Sequence, residues 1–171
     1  VPINTRYEER QEGLGCGRHA LNNLLGAKVF IKGDLNSPYQ IPKEENGKLT
    51  FDISGVKGVP LLNICEYLKS KYPNLGVGCR PSEYHDVNVL VFSLGLIGYE
   101  AGEQYNSANI TDFDINQDKE FTGFLLNTGG GHWTAIIRQE DGNYTYLDSV
   151  KLNEKKEGLQ IDQIKNIVKG G

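Results

Sequence analysis

The chain has 171 residues, of which 38% are hydrophobic and 9% aromatic, and carries a formal net charge of −4; this is the size and make-up of one water-soluble globular domain spanning residues 1–171. The acidic balance argues against a nucleic-acid partner, which needs Lys and Arg clustered on one face, and the longest apolar run, Val89 to Ile97, is about half of the roughly 20 residues that a bilayer crossing needs. Three cysteines, Cys16, Cys65 and Cys79, make an odd number without a C-x-x-C pair, which disfavours a disulfide framework or a cysteine-rich zinc site and leads us to expect a reducing compartment, cytoplasmic or nuclear.

In chain order, the apolar positions Ala20, Leu21, Leu24 and Leu25 recur at helical spacing after the turn Gly13-Leu14-Gly15, and Gly26 stands where a helix C-cap would; a short helix is predicted to start at Cys16. Residues 28–58 hold Gly33, Pro38, Pro42, Gly47, Gly55 and Gly58 among charges, which predicts an excursion with little regular structure. Val59 to Tyr72 returns to helical period, with Pro60 suited to the first turn and Pro73 ending it. Val87 to Leu96 reads as a buried helix, followed by a strand near Tyr99. Phe121 to Asn127, Trp133 to Arg138 and Tyr144 to Ser149 are short β-rich runs divided by glycine and Asp-Gly-Asn turns, so an antiparallel meander is expected. Lys151, Lys155 and Lys156, mixed with Glu154 and Glu157, read as a solvated surface, and Leu159 to Val168 as a closing helix, although the same residues fit a strand. The expected fold class is α+β, helices first and sheet last.

Cys16 differs from the other two cysteines by its setting. At a helix start, unpaired N–H groups and the positive end of the macrodipole favour negative charge on sulfur, and Gly15 and Gly17 let a substrate backbone approach. Cys65 and Cys79 read as small buried hydrophobes. A cysteine nucleophile needs a base, and there are three histidines. His19, on the nucleophile's own helix, reads as structural, and His85, in a polar turn, as a surface residue. His132 begins a strand after Gly129, Gly130 and Gly131, and Asp148 ends the next strand; a hairpin brings these two ends side by side, where a carboxylate fixes the imidazole tautomer. Gln11, five positions before Cys16, is placed to add a carboxamide donor to the Cys16 N–H in an oxyanion hole.

The string Arg10-Gln11-Glu12-Gly13-Leu14-Gly15-Cys16-Gly17-Arg18-His19-Ala20-Leu21-Asn22-Asn23-Leu24-Leu25, with the later His132-Trp133 and Asp148, resembles the Josephin domain of the ataxin-3 and josephin proteins. The resemblance implies a papain-like fold of Josephin type and a cysteine isopeptidase, a thiol-dependent deubiquitinase, that cuts after the Gly-Gly tail of ubiquitin through a thioester. It implies Cys16, His132, Asp148 and Gln11 as its catalytic residues. Gly129, Gly130 and Gly131 then wall a narrow channel, Trp133 covers the site, ubiquitin or polyubiquitin is the partner, and neither a metal nor an organic cofactor is needed. Residues 28–58 fall where the family carries the helical arm that helps to hold ubiquitin, and they do not resemble it. Two other readings of the same residues are a papain-like peptidase that cleaves a precursor or polyprotein and an inactive ubiquitin-binding module.

Overall fold

In a computed structural model of the chain, the structure describes residues 8–11, 13, 15–33, 43–45, 48–50, 58–79, 85–102, 104–113, 121–128 and 131–170. Helix α1, Cys16–Leu25, begins at the expected cysteine. It ends at Gly26, whose φ of 72° is left-handed and whose N–H donates to the Asn22 carbonyl at 2.8 Å, as a C-cap glycine does. The chain divides into two compact units that interleave in sequence: residues 1–11, 19–26 and 102–171 form one, and 12–18 with 27–101 the other.

The second of these units is mainly helical. Strand β1, Phe30–Ile31, lies parallel to β4, Val59–Pro60, while β2, Lys43–Glu45, and β3, Lys48–Thr50, pair as a hairpin. Three of these short strands fall within 28–58 and were not foreseen there, and β4 takes the first two residues of the helix expected from Val59. Pieces of two or three residues are too brief for periodicity to show, and a parallel partner lies far off in sequence. Helix α2, Leu61–Lys71, starts directly after Pro60 and buries Leu61, Leu62, Ile64, Cys65 and Leu68; a 3-10 turn, Pro73–Leu75, follows it. Helix α3, Val87–Leu96, is capped by Asp86, whose carboxylate accepts from the N–H groups of Asn88 at 2.9 Å and Val89 at 3.3 Å. The strand expected near Tyr99 is not formed. The Tyr99 N–H instead donates back to the Leu94 carbonyl at 3.0 Å, closing the helix C-terminus and leaving that donor unavailable to a ladder.

Cys65 and Cys79 are joined as a disulfide with Cα atoms 5.8 Å apart, which corrects the expectation of two buried thiols. Their spacing of 14 residues carries no sequence signal, because the approach is made by the chain doubling back along α2. The bond also removes the support that the cysteine count lent to a reducing compartment. Cys16 is outside the disulfide and buried.

The other unit is built on an antiparallel sheet in the order β5-β6-β7-β8, with β5 Gly123–Thr128, β6 His132–Arg138, β7 Tyr144–Leu147 and β8 Lys156–Leu159. The first three are the expected meander. Strand β8 was expected as solvated surface, and it is one, but it is also an edge strand with only Leu159 buried. The closing helix α4, Ile161–Gly170, therefore begins two residues later than its pattern suggests. Five successive buried residues, Trp133 to Ile137, mark β6 as a strand covered on both faces. Ile136, Tyr144, Leu159 and Ile164 form a core cluster, each such side chain contributing about 1.5–3 kcal/mol by burial. Phe121 and Phe124 pack against it and meet Phe113, which belongs to a neighbouring cluster with Ile110 and Val168, with the three ring centroids 4.8–5.0 Å apart. Gly123 is required by space: a side chain there would run into the Ile136 carbonyl and Leu24.

Candidate active site

The sheet decides where His132 and Asp148 go. β6 and β7 are antiparallel with Ala135 opposite Leu147. Continued one residue past β7, that register sets Asp148 against Thr134, hence on the face that His132 shares and diagonal to it, within reach of an imidazole. His132 Nε2 and Asp148 Oδ1 are 2.8 Å apart, with side chains 30% and 15% exposed. The carboxylate only accepts, so Nε2 carries the proton and donates it, leaving Nδ1 as the basic nitrogen. Asp148 is held in turn: the Val150 N–H donates to the same Oδ1 at 3.0 Å, and the Lys151 N–H to the Asp148 carbonyl at 2.9 Å.

Gln11 lies beside this pair in sequence-distant contact. Its N–H donates to the Ser149 carbonyl at 2.9 Å, and Ser149 Oγ donates to Gln11 Oε1 at 3.1 Å. The segment leading to it is fastened to α1. Glu9 Oε1 accepts from Asn22 Nδ2 at 2.8 Å and meets His19 Nδ1 at 2.6 Å, while the Glu9 N–H donates to Asn23 Oδ1 at 2.7 Å. Glu8 accepts from Lys155 Nζ at 2.9 Å, an interaction that raises the pKa of Lys155. His19 is thus a structural residue, as expected. Nothing local in the sequence reveals Glu9 as the partner of His19 or Ser149 as that of Gln11.

Cys16 is the first residue of α1, preceded by the buried Gly15, and is itself 3% exposed. Of the proposed channel residues, Gly129 and Gly130 lie outside the described residues. Gly131 closes the turn into β6, its N–H donating to the Thr128 carbonyl at 3.3 Å, and Trp133 is buried opposite Asn127. His85 is not a surface residue: it is 1% exposed. It precedes the cap Asp86, the position from which a side chain packs back onto the first turns of a helix. Burial lowers its pKa to about 4, with the Arg18 guanidinium adding to the effect, so at neutral pH it is uncharged. Among the described residues no three His, Cys, Asp or Glu side chains group as metal ligands would, and no helix is long and apolar enough to cross a membrane.

A cysteine opening a helix, a histidine and aspartate joined at the ends of neighbouring antiparallel strands, and an α+β order with helices first are the features of a papain-like fold. Residues 11–169 match the Josephin family model, and the chain belongs to the Josephin family. That family is papain-like, binds ubiquitin and consists in general of cysteine-type deubiquitinases. No curated protein matches the chain.

Proposed function

We propose that the chain is a deubiquitinase that hydrolyses the bond after the C-terminal Gly-Gly of ubiquitin or polyubiquitin. The observation that supports it most is the His132–Asp148 hydrogen bond in a chain of the Josephin family. In this reading Cys16 Sγ passes its proton to His132 Nδ1 and attacks the carbonyl carbon of the terminal glycine. The carbonyl oxygen becomes an oxyanion, which the Gln11 carboxamide N–H and the Cys16 backbone N–H stabilise; each such donor is worth about 10²–10³ in rate. Collapse breaks the C–N bond, and the His132 imidazolium gives its proton to the departing amine. A water molecule, deprotonated by His132, then attacks the thioester through a second oxyanion and releases the ubiquitin carboxylate and the thiol. Asp148 stabilises the imidazolium throughout.

For a glycine-only tail channel, the small residues Gly129, Gly130 and Gly131 suit one wall and Trp133 suits the cover. Every atom of the reaction comes from the thiol, imidazole, amide and water, so the chemistry calls for no metal or organic cofactor.

The test is reaction of the chain with ubiquitin bearing a thiol-reactive group at its C-terminus, read by intact mass. One adduct, lost in Cys16→Ala, is expected; because Cys65 and Cys79 are bonded to each other, the adduct reports Cys16. A chain that small thiol reagents label at Cys16 but that ignores the ubiquitin probe is instead a peptidase for another protein.

A further inference from the structure

An oxyanion hole that uses a glutamine has a weakness: the two ends of a carboxamide are nearly equal in size and opposite in function. Only the NH₂ end donates. Turned by half a rotation, the same side chain offers a carbonyl oxygen to the developing negative charge and repels it. Something must therefore decide which way the Gln11 amide faces.

The segment 8–11 is fixed at its backbone by the Glu9 network on α1 and by the Gln11 N–H to the Ser149 carbonyl. At the amide end, Ser149 Oγ donates to Gln11 Oε1 at 3.1 Å. Ser149 is 1% exposed, so water does not compete for that bond. It also follows Asp148 directly, inside the turn that the Val150 and Lys151 N–H groups tighten onto Asp148. The dipeptide Asp148-Ser149 thus reaches both His132, through a carboxylate, and Gln11, through a hydroxyl.

We propose that Ser149 is a positioning residue that holds the oxygen end of the Gln11 carboxamide, so that its NH₂ end is the one presented to the oxyanion. This rests on the proposed deubiquitinase mechanism. Ser149 itself touches no reacting atom. Its hydroxyl, bonded to Oε1, holds the carboxamide in place and ties the donor to the same turn that orients the base, so that base and donor are set by a single piece of chain.

The experiment is steady-state cleavage of ubiquitin carrying a fluorogenic C-terminal amide by the whole chain and its Ser149→Ala, Ser149→Thr, Gln11→Ala, Ser149→Ala/Gln11→Ala and Cys16→Ala variants, with thermal unfolding of each. Ser149→Ala is expected to lower kcat roughly tenfold, the scale of one lost buried hydrogen bond, with KM unchanged, and Ser149→Thr to restore most of it. Gln11→Ala should lose about 10²–10³ in kcat. In that background Ser149→Ala should cost nothing more, because residues that act through one another are not additive. An unchanged kcat in Ser149→Ala, or the same tenfold loss with and without Gln11, overturns the proposal while Cys16→Ala stays inert and the mechanism stands. Cys16→Ala as active as the parent, or a parent no more active than Cys16→Ala, removes the mechanism itself. If Ser149→Ala does not fold, Ser149→Cys, which keeps the volume and weakens the donor, takes its place in the same cycle.

Discussion

His132 and Asp148 are joined through Nε2 and Oδ1, and the choice of nitrogen carries a consequence for substitution. What the imidazole needs is an acceptor at one point in space, to keep its proton on Nε2 and its lone pair on Nδ1. The Val150 N–H, which donates to the same Oδ1, needs an acceptor there too. In Asp148→Asn both donors select the carboxamide oxygen for that position, so the ring stays oriented and only the charge is lost. Asp148→Ala loses both. We expect kcat/KM for ubiquitin cleavage to fall about tenfold in Asp148→Asn and 10²-fold or more in Asp148→Ala, within the range that a positioned base contributes; equal and complete loss in both would show that the charge itself is required. The pairing of His132 with Asp148 was legible in the sequence because each stands at the end of a recognisable strand. Ser149 was not, because a serine after an aspartate reads as a turn, and its bond to Gln11 joins residues 138 positions apart.

At the scale of elements, α1 does two things: it opens with Cys16, and its buried face carries the side chains that fasten the segment of Gln11. His19, Asn22 and Asn23 stand at helical spacing of three and four and converge on Glu9. His19→Ala removes one of two partners of Glu9 Oε1, which keeps Asn22 Nδ2, and a hydrogen bond to a charged group is worth about 1.5–3 kcal/mol. The segment that carries Gln11 is then loosened. Denaturant unfolding of His19→Ala should show that loss, and kcat should fall with it more than KM rises; a stability loss with kcat intact would mean that the Ser149 contacts alone seat Gln11. Sequence pattern served the long periodic elements well, α1, α2, α3 and the three-strand meander. It failed for β1 and β4, whose two residues each are defined only by each other, and for β8, whose exposed charges hide a strand held by a single buried leucine.

Two features reach the stability of the molecule as a whole. The Cys65–Cys79 bond closes a loop of 14 residues, and a loop of that size removes about 3 kcal/mol of chain entropy from the unfolded state. Unfolding with and without a dithiol reductant should differ by that order, and a non-reducing digest should release the two cysteines in one linked fragment; unlinked peptides would return both to the buried thiols that their sequence context suggests.

The second feature is pH. His85 is uncharged in the folded chain down to about 4, because burial, with Arg18 in support, disfavours the imidazolium. Once the chain unfolds, the same ring binds a proton below its ordinary pKa of about 6.5. Between those values the unfolded state holds more protons than the folded one, so stability is full above about 6.5 and falls as pH drops toward 4, by at most about 3 kcal/mol. Carboxylates also titrate at the lower end, so the decisive quantity is the difference in unfolding free energy between the parent and His85→Leu. That difference should shrink as pH falls from 7 to 4.5, at up to about 1.4 kcal/mol for each pH unit. A difference that stays constant would mean that His85 keeps its proton when folded and that the ring is wetter than its place behind α3 indicates. The acid side is where such a buried neutral histidine must show itself, since above 6.5 neither state binds the proton and the substitution reads only as packing.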